Sequence, residues 1–198
     1  MSNDRLTRQM AFVAEADQLK QVLRRTPLGD RSRRENSAEH SWHVAVAALA
    51  LCEHAEPLDL RRVLELIAVH DLVEIDAGDT FAYDRDLEVH RTKAERERAA
   101  AARIFGLLPP DQAGRLHALW EEFEAAATAE ARFANALDRL QALVQNMVAG
   151  GGSWVEYHVT RTQVLARMAP VESAMPAVWP WVLDVVDRFC TEGAIAHD

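Results

Sequence analysis

Cysteine is scarce in this chain: Cys52 and Cys190 are the two in 198 residues. Two are too few for a disulfide scaffold or a cysteine-rich zinc site, and their apolar surroundings suit buried free thiols. Basic charge is also short, with 22 Lys and Arg against 31 Asp and Glu and a formal net charge of −9. A binder of nucleic-acid polymers or anionic membranes would carry a basic footprint, so neither is an expected partner. A small anionic substrate stays open, because local arginines can override the overall field. No apolar run is long enough to span a membrane, and Ser2-Asn3-Asp4-Arg5 leads into no apolar signal core, so a cytoplasmic protein is expected. Glycine (8) and proline (7) are few, and repeats, low-complexity tracts and strand-like alternation are missing. What is there is a chain 49% hydrophobic, long enough to bury a core and expected to fold as an all-α protein.

Apolar spacing at Phe12, Ala16, Leu19 and Leu23 predicts a helix over about residues 4–25. The stretch Arg24 to Arg34, with turn residues and five arginines, reads as a basic loop. Asn36 and Glu39 resemble a capping box for a helix reaching about Ala55, which Pro57 ends. Asp59 can cap a third helix that runs to about Asp76 and stops at Gly78. A polar loop follows over residues 78–84, then a charged helix over about 88–105. Pro109-Pro110-Asp111 opens a helix to about Ala127, and Thr128 caps another to Ala149, closed by Gly150-Gly151-Gly152. Two C-terminal helices are expected over about 153–168 and 173–191, the second disturbed by Pro176 and Pro180.

One doublet stands out. His70-Asp71 lies inside the apolar run from Leu64 to Ile75, and neighbours on a helix point about 100° apart, so one of the pair must cut into the apolar face. A buried ionisable pair is costly unless compensated, and a metal ion compensates it. His40, heading one helix, and Asp138, inside another, complete a His…His-Asp…Asp set. Two imidazoles and two carboxylates suit a divalent ion and leave positions for water and substrate. Spacing alone leaves other readings open: Asp138 as an ordinary helix carboxylate, His40-x-x-His43 as a ligand pair, His54 and His117 as core or surface histidines.

The segments Glu39-His40, His70-Asp71-x-x-Glu74, Gly78-Asp79 and Leu137-Asp138 resemble the motifs of the HD-domain metal-dependent phosphohydrolases. With Glu35-Asn36-Ser37-Ala38-Glu39-His40-Ser41 and Leu119-Trp120-Glu121-Glu122-Phe123, the chain is similar to the small branch that contains 5′-deoxynucleotidases. The likeness runs from about residue 18 to 168 in one register. It implies a single HD-domain helical bundle over residues 1–198, with a core of about 18–168 and a C-terminal helical extension of about 169–198. It also implies that His40, His70, Asp71 and Asp138 hold one divalent ion (Mn, Co, Mg, Fe or Zn). In that pattern Glu74 manages the proton of a metal-bound water, Asp79 binds substrate or orients water, and Arg25 meets the phosphate. The implied reaction releases phosphate from nucleoside 5′-monophosphates, and related proteins are commonly homodimers, with Trp154, Trp179 and Trp181 as a candidate dimer face. Bacterial relatives carry tryptophan where this chain has Thr26, which leaves base and sugar selectivity open. Alternatives are a two-metal HD enzyme or phosphodiesterase drawing on His90 and His117, and a non-catalytic binding module.

Overall fold

The computed structural model describes residues 2–84 and 87–198, leaving aside the side chains of residues 2, 3, 87, 89 and 90. In chain order the elements are α1 (Ser2–Ala16), a 3-10 turn (Asp17–Gln21), β1 (Leu23–Pro27), β2 (Arg34–Asn36) and α2 (Ser37–Leu51). After a second 3-10 turn come α3 (Leu60–Val69), α4 (Glu74–Ala77), α5 (Leu87–Phe105), α6 (Pro110–Ala125) and α7 (Ala129–Val148). The chain finishes with α8 (Gly152–Glu156), α9 (Arg161–Ala174) and α10 (Trp179–Thr191). This is an all-α fold carrying one small hairpin.

The expected caps form. Asn36 Oδ1 accepts from the Glu39 N–H at 2.9 Å, and Glu39 Oε2 accepts from the Asn36 N–H at 3.2 Å, which fixes the first turn of α2. Asp59 accepts from the N–H groups of Arg61 and Arg62, and Thr128 from that of Ala131. α7 is the central element and packs against α2, α3, α6 and α9. Its buried alanines and leucines, among them Ala134, Leu137 and Leu140, let those helices approach closely. One hydrophobic cluster runs from Leu19 to Ile195. Trp154 is 1% exposed within it and meets Phe189 edge-on at 5.4 Å. Trp154 is therefore core and offers nothing to a dimer face, whereas Trp181 is 42% exposed. No described helix is long and apolar enough to cross a membrane.

Four expectations fail, each for a local reason. The first helix stops at Ala16 instead of running to about residue 25, because the chain tightens into a 3-10 turn over Asp17–Gln21 and then enters β1 at Leu23. The basic stretch is an antiparallel hairpin rather than a loop, paired from Leu23↔Asn36 to Pro27↔Arg34. Five residues of β1 thus oppose three of β2, a bulge that destroys the two-residue alternation by which strands are read. The helix expected to run unbroken to Asp76 is interrupted over residues 70–73. There the N–H of Leu72 bonds to Val69 and that of Glu74 to Asp71, tighter than the helical spacing. The C-terminal helices also break elsewhere, with turns after Glu156 and at Met175–Val178. Gly152 marks another constraint. At φ +42° a Cβ there would lie 2.5 Å from Asn146 Oδ1 and 3.2 Å from Pro27, so only glycine lets α8 start beneath β1.

Candidate metal centre

His40 projects from the first turn of α2 along the buried line Ser37, His40, Val44 and Ala48. Its Nδ1–H donates to Gln141 Oε1 at 2.7 Å, and Gln141 Nε2 donates to Glu35 Oε1 at 2.8 Å. The ring therefore presents its Nε2 lone pair 2.9 Å from Asp138 Oδ1. His70 is arranged the same way: its Nδ1–H donates to the Ile67 carbonyl at 2.8 Å. Its Nε2 is buried with no hydrogen-bond partner among the described residues and lies 3.1 Å from Asp71 Oδ1. Ligand atoms of His40, His70 and Asp138 all fall within 4.8 Å of one another. Asp71 stands beside this trio, its Oδ2 3.9 Å from His40 Nε2.

These residues fit a divalent cation. Burial, followed by the charge of Arg24, pushes His40 down to about 4, and burial lowers His70 as well. With each Nδ1–H donated away from the centre, both rings turn Nε2 toward carboxyl oxygens, the arrangement in which an imidazole binds a cation. The Nδ1–H bonds to Gln141 and Ile67 are the outer contacts that hold metal-binding imidazoles in place.

The acidic side of the cavity surrounds Arg24. Its Nη1 lies 3.2 Å from Asp71 Oδ2, 3.6 Å from Asp79 Oδ1 and 3.9 Å from Glu74 Oε1, and its Nη2 is 4.0 Å from Asp138 Oδ1. Burial raises Asp71 to about 8 against the pull of Arg24. Glu74 also rises to about 8, through burial and the neighbouring Asp71, while Ser37 Oγ donates to its Oε2 at 2.6 Å. Burial opposes the charge of Asp138 too, but the guanidinium groups of Arg167 and Arg24 help to hold that carboxyl well below the usual range. Asp71 and Glu74, three positions apart, both reach Arg24.

Arg24, Arg25, Asp79 and Arg167 line a chamber of about 50 Å³. Arg25 lies at its rim, bonded to the Tyr157 hydroxyl at 3.2 Å and outside the acid cluster. The other arginines of the hairpin are engaged elsewhere: Arg31 with the carbonyls of Ala149 and Gly150, Arg33 with Glu39, Arg34 with Glu156. Of the alternative histidines, His43 meets Gln141 at 3.1 Å, His117 packs against Phe105 and Trp120, and the His90 side chain lies outside the described residues.

Sequence reasoning gave Arg24 no place among the carboxylates and passed over Glu35, Ser37, Gln141 and Arg167. Gln141 carried a signal, since it follows Asp138 by three positions and shares its helical face. Glu35 and Ser37 stand in the matching segment Glu35–Ser41 but received no role there, because only the fold brings them to His40 and Glu74.

Comparison with known proteins places this geometry in context. The sequence pattern of the HD domain family matches residues 16–179. The human 5′-deoxynucleotidase HDDC2 is 33% identical over 139 residues, 69% of this chain and 65% of that protein; the Bos taurus protein of the same name is 34% identical over 111 residues. The chain thus spans under two thirds of the length of these relatives. A crystal structure from Magnetospirillum magnetotacticum MS-1, described as a predicted metal-dependent phosphohydrolase, superposes with a TM-score of 0.93 at 48% identity, covering 99% of this chain and 98% of that one. A conserved hypothetical protein from Pyrococcus furiosus shares the fold at a TM-score of 0.63 and 19% identity.

Proposed function

The chain belongs to the HD domain family, and from that premise we propose that it is a phosphomonoester hydrolase releasing phosphate from (deoxy)ribonucleoside 5′-monophosphates. His40, His70, Asp71 and Asp138 hold one divalent ion. When bound, that ion supplies Lewis acidity to the phosphoryl group and acidifies water. The observation that carries this reading is the pair of buried imidazole Nε2 atoms, one orphaned and one facing a carboxylate.

The protein's own groups do the rest. Glu74, raised to about 8 and gripped on one oxygen by Ser37, exchanges a proton near neutral pH, as a general base must. Asp79 reaches the same cavity and orients water or substrate. Arg25, on the chamber rim, meets the incoming phosphate, for which a guanidinium offers paired donors. Water attacks phosphorus in line, and the leaving alkoxide takes its proton from Glu74 or solvent. The same proposal treats residues 1–198 as one HD domain with a core of about 18–168, and as a homodimer, which light scattering tests.

The experiment is phosphate release from a panel of nucleoside monophosphates with Mn, Co, Mg, Fe or Zn, comparing wild type with Glu74→Ala. Turnover is expected to need metal and to fall by about 10²- to 10⁴-fold in the variant while metal still binds. Unchanged turnover removes Glu74 from the reaction; no release from any substrate by wild type removes the hydrolase reading.

A further inference from the structure

The chamber holding Arg24 and Asp79 opens outward past Arg25, Phe81 and Tyr83, which also line a second recess of about 320 Å³ completed by Asp84, Tyr157 and His158. The two spaces differ in kind. At roughly 10–15 Å³ per water, the inner one has room for only a few heavy atoms, about the size of a phosphoryl group. The outer one is several times larger and bounded by aromatic rings. The Phe81 ring lies 4.6 Å from that of Tyr157 at 49°, and 5.4 Å from that of Tyr83, edge-on at 77°. The set is braced at both ends. Tyr83 hydrogen-bonds to Trp154, which is itself buried in the core. The Tyr157 hydroxyl accepts from Arg25 and Arg34, each at 3.2 Å. Phe81 and Tyr157 remain partly open to the recess.

We propose that Phe81 and Tyr157 form a preformed stacking wall for a planar ring on the leaving group of the substrate. The inference rests on the phosphomonoesterase reading and deepens it: the phosphoryl end enters the small chamber lined by Arg24, Arg25 and Arg167, and the aromatic base lies in the outer recess. Selection of base-bearing esters over baseless sugar phosphates follows from the ring faces, which any base can satisfy because every base has a π-face. A preference for one particular base is not expected from stacking alone.

The test compares 2′-deoxyadenosine 5′-monophosphate with deoxyribose 5-phosphate in wild type, Phe81→Ala, Tyr157→Ala and Tyr157→Phe. Two readouts are taken: the ratio of kcat/KM values for the two esters, and the ratio of their calorimetric Kd values. Each alanine variant is expected to shrink both ratios by roughly 5- to 100-fold, the worth of one base–aromatic stack, with the loss in KM, whereas Tyr157→Phe keeps them. Equal losses on both esters, leaving the ratios intact, would overturn the proposal, as would ratios unmoved in both alanine variants. If wild type releases no phosphate at all, the hydrolase reading fails, and the Kd ratios still decide whether the wall binds a base.

Discussion

Replacing Gln141 with leucine separates a metal-binding His40 from a merely buried one. The amide joins two groups that cannot reach water: it accepts the His40 Nδ1–H at 2.7 Å and donates to Glu35 Oε1 at 2.8 Å, and His40 and Glu35 are 0% and 2% exposed. Gln141→Leu keeps the bulk and strands both. At about 1–3 kcal/mol for each buried group left unpaired, the loss is about 2–6 kcal/mol. Burying a leucine side chain offsets about 1.5–3 kcal/mol of it. The metal-free variant should unfold up to about 4 kcal/mol more easily in urea. Without its acceptor the imidazole is free to turn or to move its proton to Nε2, so affinity for Mn or Zn should fall about 10- to 100-fold by calorimetry. A variant that loses stability yet binds metal as tightly as wild type would refute the claim that His40 is oriented for a cation by Gln141. Unchanged stability together with unchanged affinity would refute the geometry itself.

Arg24→Met removes the cation held among Asp71, Glu74, Asp79 and Asp138. Leaving buried carboxylates uncompensated should cost about 3–5 kcal/mol in chelator-treated protein, and added divalent ion should raise the variant's Tm more than that of wild type; equal increments would show that ion and guanidinium do not serve the same acids. Asn36→Ala breaks the capping box that fixes the first turn of α2, and should cost about 1 kcal/mol in urea unfolding at pH 7. No loss would mean that Ser37 and the neighbouring turn hold that helix end unaided.

Much of this architecture was legible because each signal was local. Asn36, Asp59 and Thr128 announce helix starts through one side-chain oxygen each, and all three caps form. The His70-Asp71 doublet was visible because polarity in an apolar run is a local anomaly. The hairpin was illegible for the opposite reason: a bulge within Leu23–Pro27 erases the alternation, and pairing with Arg34–Asn36 depends on a partner strand the local pattern does not describe. The break at residues 70–73 was hidden too, because its apolar residues Leu72 and Val73 fit a helix as well as a turn. Of the cluster, Arg24 was legible only as one of five arginines in a basic stretch, since which of two adjacent arginines turns inward depends on the packing of the hairpin against the helices.

The bulged strand and the turn after α3 meet at the acid cluster. Arg24 comes from β1, and Asp71, Glu74 and Asp79 come from the segment that follows α3. The Arg24 guanidinium lies within 4 Å of all three carboxyl groups. Stability alone gives no reason to gather them: burial pushes Asp71 and Glu74 up to about 8, so part of their negative charge is resisted by the very environment that holds it. Regular local structure is given up where function requires it. Four carboxyl groups around Arg24, one of them also 3.5 Å from the Arg167 guanidinium, form a set whose charge a divalent ion is suited to balance.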